Sequence, residues 1–498
     1  RLVSKPFTGL QMIRITLLWL FITFLGLYAW KDWYKALCGL ILLVAVIEHP
    51  DMPKSMLGIQ GLNPWNILLA IIIMAWAVSR KREGLTWDMP GHLNFLLLAY
   101  LTVIFVAFFR LLDSPQVVIA WDIAAGHGAP TVMGMWSEYI INSIKWVIPG
   151  LLLYDGCRDR TRLNWAAASL LGVYVLLGLQ VIKWMPLDSL TSGAQLSERS
   201  LKILSNEVGY HRVNLSMMLA GATWAIFAAR VLAQRQRLLF VILGLSILVF
   251  FAQSLTGGRT GYVTWAVVGF VLASIRWRKY LFFLPVVALL IVMFVPAAME
   301  RMSQGFTPES RDTNVRIHGR DALATADGPD AYTITAGRNI AWPLVIEKIK
   351  ESPWIGYGLE GMKTTGIAST LYQEYGEVFP HPHNAYLQLM LDNGILGFIP
   401  VLLFYLVVLK YSMSLFRDSS SPVFIAVGGM SLSLIMALLV ASMGSQSFYP
   451  REGAVGMWCA IGIMLRVYVE RQRATIHDVA TNENGSDIDK RLWQRQAT

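Results

Sequence analysis

Two histidines separated by a single proline, His381 and His383, stand where a long polar stretch gives way to an apolar one, in PHPHNAYLQLMLDNGILG from Pro380 to Gly397. Imidazole is the side chain whose ordinary pKa lets it accept a proton near neutral pH, so such a pair suits general-base chemistry. His383 could instead cap or hydrogen-bond the start of the next helix, and the pattern leaves both roles open. In extended backbone the i, i+2 spacing would send both rings to the same side. A zinc site is disfavoured, because no third His, Cys or Glu stands nearby at ligand spacing.

Two arginines sharpen the pattern. Arg212, in GYHRVN, directly precedes an apolar run, and Arg259, in SLTGGRTGY, occupies a turn that can only join two such runs. Guanidinium forks grip phosphate oxygens bidentately and stay protonated; each could also simply snorkel to lipid headgroups. Glycines beside Arg259 would let backbone N–H groups approach a phosphate closely. Lys145 interrupts YIINSIKWVIPGLLLY. A cation inside a span costs about 2.5–3.5 kcal/mol, so it faces a cavity or partner, binding substrate phosphate from the bundle side, or snorkels from a tilted helix. Arg110 and Arg451 at outer ends of runs could widen a basic rim, whereas Asp392 and Asn393 suit the turn into the next helix better than chemistry.

The elements that must position these groups are membrane spans. With 55% hydrophobic residues, 15% charged and 18 tryptophans in 498 residues, the chain is too apolar for an ordinary soluble protein. It reads as all-α and polytopic. Apolar runs begin near Leu17, Ala36, Ile67, Leu93, Ile140, Leu163, Leu215, Leu238, Tyr262, Tyr280, Ile395, Val423 and Val455, and a span needs about 20 residues. Lys and Arg cluster in every second connection, at 80–82, 158–162, 230–237, 276–279, 410–417 and 466–473, which marks those connections as cytoplasmic. Arg212, Arg259 and the histidines then share the outer face. The first three runs are short, and parity is restored if one of them fails to cross, giving about 12 spans with both termini cytoplasmic. The bundle divides as 1–296 and 383–470, separated by a large outer loop over 297–382 and followed by a disordered tail over 471–498.

The net charge of +10 is the excess expected of basic cytoplasmic loops and does not argue for nucleic acid. Three cysteines, Cys38, Cys157 and Cys459, lie in or beside apolar runs, which makes a disulfide framework or thiolate metal site improbable. The first run lacks a small-residue cleavage pattern and is read as a retained segment. Within the large loop, 311–330 reads as irregular, while NIAWPLVIEKIKE from Asn339 to Glu351 has helical spacing and is stopped by Pro353. PWIGYG then reads as a tight turn. A transporter is the competing class, but no internal repeat or paired broken helices support it.

HPHNAYLQLMLDNGILG, preceded by PWIGYGLEG and by SLTGGRTGYVTWAVVG, resembles the O-antigen ligase family of bacterial inner-membrane glycosyltransferases over roughly Tyr210 to Phe404. The resemblance implies a GT-C-type helical bundle with a large periplasmic loop. It also implies transfer of glycan from undecaprenyl diphosphate to an acceptor, which in the ligases is the lipid A core of lipopolysaccharide. O-antigen polymerases and protein O-oligosaccharyltransferases share the motif. On this resemblance Arg212 and Arg259 hold the donor diphosphate, His383 is the base, His381 orients it or the acceptor, and Tyr210, His211, Arg338, Tyr386, Lys145 and Arg110 are further contacts. Neither metal nor cofactor is implied, and the partners are the lipid-linked donor, the acceptor and membrane lipid.

Overall fold

The computed structural model describes residues 9–56, 59–126, 128–188, 192–283, 286, 293, 295–306, 330–376, 378–444 and 446–481. Apart from one hairpin pairing Ser55–Met56 with Ile59–Gln60, its regular elements are helices. In chain order they are α1 (Gly9–Ala29), α2 (Trp33–Leu42), α3 (Pro64–Arg82), α4 (Gly91–Leu111), α5 (Pro115–Ala124), α6 (Val132–Trp136), α7 (Asn142–Gly156), α8 (Arg160–Trp184), α9 (Gly193–Ile203) and α10 (Arg212–Ala229). They continue with α11 (Gln236–Ser254), α12 (Arg259–Ile275), α13 (Pro296–Ser303), α14 (Ala331–Thr335), α15 (Arg338–Glu351), α16 (Gly361–Thr364), α17 (Ile367–Tyr375), α18 (Ala385–Arg417), α19 (Pro422–Ala441) and α20 (Val455–Thr481).

Among the described residues, 8 helices are long and apolar enough to cross a membrane, namely α1, α4, α8, α10, α11, α18, α19 and α20. Shorter apolar helices cover Trp33–Ala45 and Arg259–Ile275. The chain is an all-α polytopic membrane protein, held by a core that α19 and α20 occupy most deeply, with α10 next, and with Leu215, Leu219, Phe424, Ile435, Ile463 and Met464 buried. The run beginning near Tyr280 and the irregular stretch 311–329 lie largely outside the described residues.

Among the early runs, α2 is too short to cross a membrane as an independent helix. At ten residues α2 is about 15 Å long, half the thickness of a bilayer core. It nevertheless lies along α8: Tyr34 Oη donates to the Arg162 carbonyl at 3.1 Å, and Gln180 Nε2 donates to the Ala45 carbonyl at 2.8 Å. A short helix serves here because protein, with Trp33, Leu37, Leu40 and Ile41 buried, surrounds it instead of lipid. Near the start of α1, Arg14 pairs with Asp51 at 3.0 Å, close in sequence to Glu48, whose carbonyl abuts Gly209. The start of α1 therefore sits at the His211 end of the bundle, and the end of α20 at the other.

The tail is a correction. α20 does not stop near Glu470 but runs to Thr481, because its polar residues are tied back to the bundle. Arg471 pairs with Asp418 at 3.4 Å, and Arg473 pairs with Asp88 at 2.9 Å. The basic connections meet at this end: Arg80 and Arg158 converge on Asp155 at 2.9 and 3.0 Å, and Arg276 donates to the Phe416 carbonyl at 3.1 Å.

The helix expected at Asn339–Glu351 is α15, begun one residue earlier at Arg338. The PWIGYG turn does more than reverse the chain. α18 breaks at Gly394, whose φ of 58° and ψ of −166° a side chain would resist. The backbone groups freed by that break are taken up by the turn. Tyr357 and Gly358 N–H donate to the Leu391 and Asp392 carbonyls at 2.9 and 2.7 Å, and Ile395 and Leu396 N–H donate to Pro353 and Trp354 carbonyls at 2.8 and 3.1 Å. A Cβ on Gly356 would lie 2.4 Å from the Leu391 oxygen. Asp392 adds its side chain, accepting from Gly361 N–H at 3.0 Å and from Tyr449 Oη at 2.9 Å, while Asn393 donates to Tyr449 at 2.7 Å. The expectation that Asp392 and Asn393 shape a turn holds, and that knot anchors the helix carrying the histidines.

Candidate active site

Four helix starts meet at one end of the bundle. Arg212, Arg259 and Arg338 are the first residues of α10, α12 and α15, and Asn384 caps α18, accepting from Tyr386 and Leu387 N–H at 3.0 and 3.2 Å. The first N–H groups of a helix lack internal partners, and the helix macrodipole places about half a positive charge there. Such ends attract anions.

Each arginine is held through oxygen atoms of a neighbouring segment. Arg212 Nη1 donates to the Ser197 carbonyl at 2.6 Å and to its hydroxyl at 2.8 Å, on α9. Arg259 Nη2 donates to the Thr333 carbonyl at 2.8 Å, on α14, and Arg338 Nη2 donates to the Gly444 carbonyl. Arg259 is close enough to Arg212 and to Arg338 for their charges to repel. Burial first, and Arg259 second, bring Arg338 down to about 10. Among the described residues Arg212 and Arg259 meet no carboxylate within ion-pair distance.

The glycines beside Arg259 do not work as the sequence suggests. Gly257 has φ +66° and packs on Ser200 and Leu196, while a Cβ on Gly258 would meet the Ser216 side chain at 2.8 Å. They let α12 start hard against α9 and α10, which brings Arg259 to Arg212. Ser216 Oγ secures the approach by donating to the Gly258 carbonyl at 3.2 Å.

The histidines sit beside this cluster, but not in extended backbone. His383 has φ 51°, the left-handed region, so the two rings do not project in parallel as the spacing suggests. They meet at a centroid distance of 4.3 Å and an angle of 60°, and His383 N–H donates to His381 Nδ1 at 3.3 Å. That bond assigns the His381 proton to Nε2. The His383 ring stands edge-on to buried Phe379 at 5.4 Å, and Trp342 Nε1 donates to the Pro382 carbonyl at 2.9 Å, which clamps the bend to α15. Burial, followed by the charge of Arg451, Lys363, Arg338 and His211, lowers His381 to about 4. Burial, followed by His381, Arg338 and His211, lowers His383 to about 3. Both imidazoles are therefore neutral, proton-accepting groups near pH 7.

The remaining candidates divide. His211 caps α10, its Nδ1 accepting from Val213 N–H at 3.4 Å, and is near enough to bias both histidines. Tyr210 is buried with its hydroxyl on the Val44 carbonyl at 2.7 Å, and Tyr386 reaches the Leu439 carbonyl at 2.9 Å, so both hydroxyls tie helices together. Arg110 grips the PWIGYG turn, donating to the Ile355 carbonyl and to the Gly356 carbonyl at 2.7 Å. Lys145 lies over the Trp146 ring at 4.2 Å, and the charges it feels are carboxylates, Glu138, Glu48 and Glu452. From the turn after α19, sequence reasoning singled out only Arg451. The turn's Ser442 carbonyl accepts from Ala385 N–H at 2.7 Å, and Gln446 donates to Asn214 at 2.9 Å. Ser197 and Thr333 were missed because they hold the arginines mainly through backbone carbonyls, which leave no mark on residue type.

The fold and this site define a membrane protein that gathers cations and neutral imidazoles at one end of a helical bundle. Residues 244–402 match the O-antigen ligase family model. The matched span includes Arg259, Arg338, His381 and His383, whereas Arg212 precedes it and is brought in by α10. The family holds glycosyltransferase-like enzymes acting on lipid-linked glycans, among them ligases, polymerases and oligosaccharyltransferases. No curated protein matches the chain.

Proposed function

We propose that the protein is an O-antigen ligase of GT-C type in the bacterial inner membrane. In this reading it transfers glycan from undecaprenyl diphosphate to the lipid A core of lipopolysaccharide at the periplasmic face. The observation that carries the reading is the juxtaposition of two arginines that meet no carboxylate among the described residues, at two helix starts, with a neutral histidine pair. Arg212 and Arg259 bind the diphosphate, with Arg338 adding charge. As the acceptor oxygen attacks the anomeric carbon, its proton passes to His383 and the bond to the diphosphate oxygen breaks. The leaving group keeps the electron pair, which the guanidiniums stabilise. A single displacement of this kind inverts the anomeric centre. His381, fixed by the His383 N–H, orients the base. The guanidiniums supply the charge stabilisation a divalent ion gives elsewhere, so chelators are expected to leave turnover intact; loss with EDTA and rescue by a divalent ion would refute that part.

The test is transfer by purified protein from undecaprenyl-diphosphate glycan to lipid A core, comparing wild type with His383→Ala. Glycan on the core, absent in the variant, supports the ligase. Elongated lipid-linked glycan would instead mean a polymerase, and glycosylated protein an oligosaccharyltransferase.

A further inference from the structure

The turn that follows α19 touches every helix start of the site. Its first residues are pinned to the end of α19: Ser442, Met443 and Gly444 N–H donate to the Leu438, Val440 and Ala441 carbonyls at 2.8, 3.1 and 2.8 Å. Among the described residues α19 is the most buried of the spanning helices, so the turn inherits a fixed frame.

From this frame one contact reaches each helix start. The Ser442 carbonyl accepts from Ala385 N–H at 2.7 Å, at the first residue of α18, two residues past His383. The Gly444 carbonyl accepts from Arg338 Nη2, at the first residue of α15. Gly444 also lies against Thr260, which follows Arg259 in the first turn of α12. Gln446 Nε2 donates to Asn214 Oδ1 at 2.9 Å, in the first turn of α10, two residues past Arg212. The backbone from Ser442 to Gly444 thus links the Arg338 guanidinium to the first N–H of the helix behind the base, across the single residue Met443. Along their length α10 and α19 are already packed, with Gly221 against Ala437 and Leu434, so holding the bundle together does not need the turn. What the turn adds is the placement of the helix starts relative to one another.

Gly444 is the residue on which this joint depends. Its φ lies outside the left-handed region, so the backbone itself would accept a side chain. Space would not: a Cβ would lie 2.6 Å from both Cγ2 and Oγ1 of Thr260. A larger residue must push the turn away from the start of α12, and the carbonyls that hold Arg338 and Ala385 move with it. Reaction rates are sensitive to such shifts, since about 1 Å of misplacement costs about 10²-fold.

We infer that Ser442 to Gly444, with Gln446, is the positioning element of the site, and that Gly444 is a positioning residue that sets the bend carrying His383 against the helices carrying the arginines. The inference rests on the transferase reading for the reaction it serves.

The experiment uses purified full-length protein carrying Gly444→Ala, Thr260→Ala, the two together and, separately, Gln446→Ala. Steady-state transfer is measured with the lipid-linked donor varied. In parallel, hydrogen-exchange mass spectrometry follows the segment containing Ala385, which requires no turnover. Gly444→Ala should lower kcat about 10²-fold while the donor KM stays within about threefold, because Arg212 and Arg259 keep their own supports on Ser197 and Thr333. Exchange at Ala385 should quicken in the same variant. Thr260→Ala removes both atoms that the new methyl meets, leaving Thr260 Cβ at 3.2 Å. The double variant should therefore match Thr260→Ala alone in kcat and in exchange. Gln446→Ala adds no bulk and should lower kcat about tenfold, the donor KM again held. Wild-type kcat and exchange in Gly444→Ala overturn the inference, as does a loss of kcat that Thr260→Ala fails to restore while exchange at Ala385 stays slow. If Gly444→Ala does not fold, unchanged kcat in Gln446→Ala overturns it. If wild type transfers nothing, yet exchange at Ala385 quickens in Gly444→Ala and is restored in the double variant, the transferase reading falls and the joint stands.

Discussion

Arg466 and Arg212 are guanidiniums at opposite ends of the same bundle, both largely withdrawn from water, and the fold treats them in opposite ways. Arg466 has 0% of its side chain exposed and donates to both oxygens of Asp88 at 2.7 Å, to Glu470 at 3.0 Å and to the Tyr154 carbonyl at 2.8 Å. Arg80 and Arg158 nearby share Asp155. Arg212 and Arg259 receive only carbonyl and hydroxyl oxygens, and they repel each other. An uncompensated buried charge costs several kcal/mol. A chain able to neutralise its arginines fully at one end gives Arg212 and Arg259 no carboxylate among the described residues at the other, where four helix starts add positive potential. The difference is what the proposed diphosphate site requires, because a resident carboxylate would compete with that ligand.

The comparison predicts two classes of variant, and the largest effect belongs to the site end. His383→Ala should lower kcat by about 10²–10⁴ while donor binding and thermal unfolding stay near wild type; retained turnover would remove His383 as the base. Arg259→Lys comes next. It keeps the charge but loses the fork, and losing one stabilising donor costs about 10²–10³ in kcat. Near-normal transfer by this variant would show that point charge suffices and that no bidentate clamp exists.

At the other end the sign reverses. Arg466→Met leaves Asp88 and Glu470 without their central partner and should cost about 3–5 kcal/mol of stability, read as a lower unfolding temperature in detergent. Turnover per folded molecule should remain within a few-fold of wild type. A variant as stable as wild type but inactive would mean that Arg466 serves the reaction, and the contrast between the two ends would collapse.

Much of this arrangement was legible in residue types. Apolar runs and basic connections announce the bundle, the spacing in Asn339–Glu351 announces α15, and alternation alone sends Arg212, Arg259 and His383 to one end. Interactions carried by backbone were not legible. Ser197, Thr333 and Gly444 hold the arginines mainly through carbonyls, and the course of α2 depends on which helices enclose it. Gly356, and Asp392 with Asn393, are readable as turn residues, but that each turn satisfies the other's peptide groups follows only from their meeting in space. The left-handed backbone of His383 is likewise invisible: i, i+2 spacing predicts parallel rings, and the bend clamped by Trp342 overrides it.

The smallest effect concerns protons and follows from that bend. In the free protein His383 is lowered to about 3 and His381 to about 4. Both are below the ordinary 6.5, so folding favours their neutral forms. Below pH 6.5 the unfolded chain takes up protons that the folded protein refuses until the pH reaches the lowered values. Stability is therefore full above that range and lost as pH falls from about 6.5 toward 3, less so in His383→Ala. Rates report the same groups in two states. kcat/KM, set by the free enzyme, should show no acid limb near 6.5. A bound diphosphate brings negative charge beside Arg338 and offsets the cationic field that depresses His383, so the acid limb of kcat should lie at higher pH than that of kcat/KM. Coincident limbs would mean that the diphosphate does not sit where Arg338 faces the base.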